Sequence, residues 1–177
     1  MQHSQTIEHL FAETTTDYEH ARIRTAIINW AEESNGLYEA RTFEMDQSTL
    51  QGGAQIPQAI VSLPLLCFKH EEVKVNMYEV SLSWAFRSLF QTASHGGAYN
   101  NGHKAALGRL EAWISLAGLA NAEDGASIQQ VLQAAQKCQW FQFTTDTWFY
   151  NFVWDLGMIA IRPDQTSLAV LTATDTD

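Results

Sequence analysis

The stretch Met158-Ile159-Ala160-Ile161-Arg162-Pro163-Asp164-Gln165-Thr166-Ser167-Leu168-Ala169-Val170-Leu171-Thr172 decides the fold. Two β-rich runs, residues 158–162 and 167–172, flank a short segment of turn chemistry at 163–166. Proline presets φ for a turn and the Asp side chain supports one, so the pattern predicts a β-hairpin. In an extended chain successive side chains alternate sides. Leu168 and Val170 therefore face one way and Ala169 and Leu171 the other. Both faces need cover, which makes the hairpin integral to the fold rather than a tail.

Upstream of it the signals are mostly helical. Thr16 and Glu19 form a capping box before a helix running to about residue 34, with Ile23, Ile27, Trp30 and Ala31 on one face and Gly36 beyond its end. Residues 37–45 alternate as a strand does, and residues 46–56 read as a polar loop. Pro57 and Pro64 each suit the first turn of a short helix. Asn76 with Glu79 marks another helix start, with a stripe of Tyr78, Leu82, Ala85, Phe86, Leu89 and Ala93. Asn101 reads as the N-cap of a helix continuing to about residue 120. Ser127 and Gln130 open the next, with Ile128, Val131, Leu132, Ala135 and Cys138 facing inward. Asp146 caps an aromatic helix ending at Gly157, on which Thr147, Asn151 and Asp155 make one polar stripe. The expected class is α+β: a mainly helical single domain over residues 1–177, with a small antiparallel sheet that includes the C-terminal hairpin.

Composition bounds the function. Apolar residues make up 46% of the 177-residue chain, and charged residues 17%, against about 25% in an average globular domain. That balance favours a large dry core, with apolar surface left for a homo-oligomer interface or a ligand pocket. The net charge is −10, and no segment carries the basic footprint that nucleic acid or an anionic membrane surface requires. The N-terminus has neither a basic segment nor an apolar run behind it, so a secretory signal is not expected. Cys67 and Cys138 are the only cysteines. Reduced, buried thiols in a cytoplasmic protein are the expectation.

No Walker loop, nucleophile elbow, H-E-x-x-H or paired C-x-x-C occurs, and no metal or cofactor is expected. The unusual segment is His95-Gly96-Gly97-Ala98-Tyr99-Asn100-Asn101-Gly102-His103. It leads into a helix start that has His103 and Lys104 where acids usually sit, with Arg109 less than two turns on. These cations call for a compensating anion: a bound phosphate or carboxylate, a carboxylate from elsewhere in the fold, or simply solvent. Asp155, if turned inward, needs a partner. Arg109 is the expected one, with Trp113 stacked on its guanidinium.

Two blocks carry a resemblance. His95-Gly96-Gly97-Ala98-Tyr99 leading to Gly108-Arg109-Leu110-Glu111-Ala112-Trp113, and Trp154-Asp155-Leu156-Gly157 leading to Thr174-Asp175-Thr176-Asp177, resemble a bacterial family of unknown function. The resemblance covers the C-terminal half from Trp84 onward. It implies a bacterial, self-contained domain and assigns no activity.

The function expected is binding of a small anionic metabolite around the 95–103 loop, with acid–base catalysis as an extension. His103, Asp155 and His95 are the catalytic candidates. Lys104, Arg109, Tyr99, Trp113 and Asn101 are the ligand-binding candidates. The alternative is a protein-interaction module, such as an immunity or adaptor protein, whose acidity steers a basic partner.

Overall fold

A computed structural model describes residues 10–31, 36–45, 59–69, 72–150 and 154–175. The sequence readings at residues 46–57, the helix end at residues 32–35, the side chains of Trp30 and Ala31, and Asn151 lie outside what it describes.

Among the described residues six strands form one antiparallel sheet: β1 (Phe11–Glu13), β2 (Leu37–Met45), β3 (Val75–Val80), β4 (Gln139–Thr145), β5 (Leu156–Ile161) and β6 (Ser167–Thr174). Their order is β1-β2-β6-β5-β4-β3. The hairpin β5–β6 occupies the centre, with Ile159 opposite Val170 and Ala160 opposite Ala169. Strand β6 also pairs along its length with β2, from Leu37 opposite Thr174 to Glu44 opposite Ser167. The alternation read from the sequence separates two cores. Ala169 and Leu171 join Ile23, Ile27, Leu89 and Leu116 on the helical face. Leu168 and Val170 join Phe43, Phe143, Phe149 and Leu65 on the other, where residues 59–68 provide cover.

One helical segment runs from α1 (Asp17–Ile23) through a 3-10 stretch (Arg24–Ile27) to α2 (Ile28–Ala31). The Thr16–Glu19 capping box is present. The tightening at 24–27 has a cause in the neighbouring helix. The Ser115 hydroxyl accepts the Ala26 N–H at 2.7 Å and donates to the Ile23 carbonyl at 2.9 Å. A side chain thus enters the backbone ladder and replaces part of it. Gly118 allows this approach, since a Cβ there would lie 2.9 Å from the Ile23 nitrogen.

Three further helices follow: α3 (Leu82–His95), α4 (Ala105–Leu119) and α5 (Ile128–Ala135). Ser127 and Gln130 cap α5 reciprocally, as the sequence implies. Val131, Ala135 and Cys138 are buried, whereas Ile128 is 63% exposed.

The class is α+β, but the sheet is not small. Among the described residues helix accounts for 39% and strand for 27%, a balance that bears out α+β without a helical majority. Two helices expected from the sequence are strands or turns. Residues 75–80 form β3 against β4, and the α3 helix starts later, with Ser81 accepting the Trp84 N–H. The expected helix 146–157 is replaced by a turn at 146–148 and by β5 from Leu156. Gly157 is a strand residue in close approach: a Cβ there would sit 2.2 Å from the Phe143 carbonyl. The helix expected from Asn101 begins instead at Ala105, with Lys104 as N-cap. Among the described residues no helix is long and apolar enough to cross a membrane.

Truncation after Arg162 removes β6, and with it Leu168, Val170 and Leu171, all fully buried. Each such side chain contributes about 1.5–3 kcal/mol by burial, so together they rival the whole stability of a domain. The truncated chain is expected to show no cooperative thermal transition by circular dichroism. Both cysteines are free and buried, and burial raises their thiols above the ordinary value, Cys138 to about 11. At pH 8 neither therefore offers a thiolate. Iodoacetamide is expected to leave the native protein unlabelled and to label two sites after denaturation.

Candidate functional site

The 95–103 loop is built around the C-terminal end of α3. Four carbonyls of its last turns are satisfied by the loop. His95 Nδ1–H donates to Gln91 at 2.8 Å, and Gly96 N–H to Thr92 at 3.3 Å. His103 N–H donates to Ala93 at 2.9 Å, and Lys104 Nζ to Ser94 at 2.9 Å. Cationic side chains suit a helix C-terminus, where the carbonyl ends carry partial negative charge. Gly96 holds φ at +76°, and a Cβ on it would lie 2.2 Å from the Asn100 carbonyl. Only glycine tolerates both conditions. The far side of the loop is tied to the sheet, where the fully buried Asp175 accepts the Ala98 N–H at 2.8 Å.

His103 belongs to a second group. Its Nδ1 lies 2.5 Å from Glu111 Oε1 and 2.9 Å from the Asn29 amide nitrogen. A carboxylate oxygen and a bare ring nitrogen would repel at that distance, so the hydrogen resides on Nδ1 and is donated to Glu111. That leaves no lone pair on Nδ1 for Asn29, whose amide also reaches Glu111 at 3.5 Å. Ala105, just beyond, holds φ at +53°, a conformation that costs a non-glycine residue about 1–3 kcal/mol.

His95 and Asp155 line one pocket of about 260 Å³, together with Trp84, Thr92, Gln142 and Trp154. The Trp84 indole N–H donates to Gln142 Oε1 at 2.5 Å. Asp155 Oδ1 accepts the Thr174 hydroxyl at 2.6 Å. A more open cavity, lined by Tyr99, Asn100 and Asn101, shares His95 and Trp154 with the first.

The sequence-derived candidates therefore divide. His95 and Asp155 come together in the pocket, and Tyr99 and Asn101 lie at its open neighbour. His103 is not among the lining residues and pairs with Glu111. Lys104 is spent on α3. Arg109 does not pair with Asp155; it is exposed, 5.9 Å from the Phe90 ring centroid. Trp113 stacks on Phe86 at 4.6 Å rather than on Arg109. The sequence reading missed Trp84 and Gln142 as lining residues, because helix α3 and strand β4 bring them together from 58 positions apart. Asp175 carried a signal in the Thr174-Asp175-Thr176-Asp177 block, though not a role.

The two blocks quoted from the sequence thus meet in space through Ala98 with Asp175, and the two ends of the second block meet through Asp155 with Thr174. The chain belongs to a family of unknown function, DUF6183, whose model matches residues 1–177. The match spans the N-terminal half as well, which the sequence resemblance had left out. No curated protein and no solved structure matches the chain.

Replacing Asp175 by Ala removes the acceptor of the half-buried Ala98 N–H, at a cost of about 1 kcal/mol. The expected outcome is a lower melting temperature, with faster amide exchange at Ala98 than at the centre of α3.

Proposed function

We propose that this chain binds a small molecule in the pocket where His95 and Asp155 meet Trp84 and Trp154. One observation carries the reading: an imidazole and a carboxylate line the same concavity, beside two indoles. Small-molecule sites combine apolar walls with a few placed polar groups in this way. The His95 tautomer is set by Gln91, which leaves Nε2 as the acceptor. Together with Asp155 it gives the site groups able to move a proton, and acid–base chemistry is the extension of this reading. Lys104 and Arg109, expected to hold an anion, lie outside the lining. A cytoplasmic location suits the two buried thiols.

A second reading, as a protein-interaction module, draws on the face between α1, α4 and α5. Leu110 and Ile128 are 55% and 63% exposed there, beside an apolar groove of about 400 Å³. Helix α4 is rich in apolar residues, and a helix apolar on most sides is ordinarily covered. A homo-oligomer would cover it; Leu110→Asp would then shift the species seen by light scattering toward monomer.

The pocket reading is tested by screening a chemically diverse metabolite set for increases in melting temperature. Ser88 lines the pocket, and Ser88→Trp is the control that fills it. Compounds are expected to stabilise the parent and to leave Ser88→Trp unchanged. Equal stabilisation of both proteins, or none of the parent, removes the pocket reading.

A further inference from the structure

The side chains that one helix turns toward the pocket narrow the class of its ligand. At roughly 3.6 residues per turn, Trp84, Ser88, Gln91, Thr92 and His95 fall within about 100° of arc on α3, and all of them line the pocket. They run beside the buried stripe of Ala85, Leu89 and Ala93. A stripe that borders the core is thus an indole followed by hydroxyls, an amide and an imidazole. From Trp84 to His95 the helix rises about 16 Å. The cleft continues beyond α3, because the neighbouring cavity shares His95 and adds Tyr99, Asn100 and Asn101. Aromatic side chains stand at its two ends, Trp84 44% and Tyr99 63% exposed, with the hydroxyls and amides between them. Taking the pocket described above as a ligand site, we infer that its ligand is a short neutral oligosaccharide, longer than one sugar ring, lying along the cleft from Trp84 to Tyr99.

A sugar ring carries hydroxyls around its perimeter and bare C–H groups on its faces. Hydroxyl and amide side chains both donate and accept, so Ser88, Gln91, Thr92 and Gln142 can meet such a perimeter whichever way its hydrogens point. The C–H faces suit an aromatic ring, whose own face is the negative side of its quadrupole. Trp84 is held for that task. Gln142 Oε1 accepts its indole N–H at 2.5 Å, which fixes the ring plane, and Arg87 braces the ring from 5.6 Å. Other ligand classes fit less well. A flat heterocycle carries its polar atoms on its edge and asks for apolar walls on both faces, whereas the α3 wall is polar along its length. A strongly charged ligand gains little from hydroxyls and amides, which are most of what that wall offers. Asp155 accepts the Thr174 hydroxyl at 2.6 Å, and a neutral ligand requires no charge compensation from it.

The test begins with the full chain on an array of neutral and acidic glycans that includes maltotriose, cellotriose, mannotriose and chitotriose. Calorimetry then compares the best-bound trisaccharide with its monosaccharide. A neutral trisaccharide is expected to bind roughly five- to tenfold more tightly than its monosaccharide, the worth of one further aromatic contact. Trp84→Ala is expected to weaken the trisaccharide by about tenfold and Trp84→Phe, which keeps a ring, to recover most of the loss. Tyr99→Ala is expected to weaken the trisaccharide and leave the monosaccharide unchanged. Circular dichroism melts check the fold of each variant, and if Trp84→Ala fails to fold, Tyr99→Ala at its exposed position carries the comparison. Absence of neutral glycan binding, a preference for acidic glycans, or trisaccharide binding indifferent to these substitutions each overturns the inference. Should the metabolite screen yield ligands that Ser88→Trp excludes while no glycan binds, the pocket stands and only the sugar class falls.

Discussion

Strand β6 pairs with β2 on one edge and β5 on the other, and from Leu168 to Asp175 every residue is buried. That burial constrains everything around it. The helical layer has to cover Ala169, Leu171 and Ala173, and residues 59–68 have to cover Leu168 and Val170. The strand's last residues then emerge beside the 95–103 loop, where Thr174 binds Asp155 and Asp175 binds Ala98. The pocket is thus placed by the strand that anchors the core, and its acid is held by a side chain of that strand. Rigid elements of this kind position functional groups more closely than loops do alone.

The 95–103 segment shows why local electrostatic reading of a sequence can assign polar residues to the wrong helix end. Two histidines and a lysine before α4 look misplaced against its positive terminus. The His95 and Lys104 side chains serve the negative terminus of α3 instead, donating to the Gln91 and Ser94 carbonyls, while His103 gives only its backbone N–H, to Ala93. The loop doubles back, a fold that Gly96 and Gly102 permit through contacts too close for any Cβ. The anion that the reading required is present for His103 within the chain itself, as Glu111.

Much of the architecture was legible because its signals are local. The two capping boxes, the strand at 37–45 and the hairpin turn each rest on neighbouring residues and appear where they were expected. The misreadings share a cause. Tyr78 and Leu82 are spaced as on a helix, yet Val75–Val80 is claimed by pairing with β4. Polar residues four apart near Asp155 suggest a helical stripe, yet Gly157 and β5 pair with distant strands. Periodicity over so few residues cannot outweigh long-range pairing. Of the site, His95 and Asp155 were legible as chemistry, whereas Trp84 and Gln142 depended on contacts between elements.

The two faces of the sheet are furnished differently. Toward the helices it offers Ala40, Ala160, Ala169 and Ala173 beside Met158 and Leu171, and away from them Phe43, Phe141 and Phe143. Alanines have no rotamers to adjust, so where they lie the helical layer can approach the sheet closely. The pocket spans that seam, with Trp84 and Thr92 on α3 and Gln142 and Leu156 on the strands. Its width consequently depends on the layer spacing as well as on its own side chains. An added methyl group on the alanine face would act as a shim, prising the layers apart and widening the seam from within.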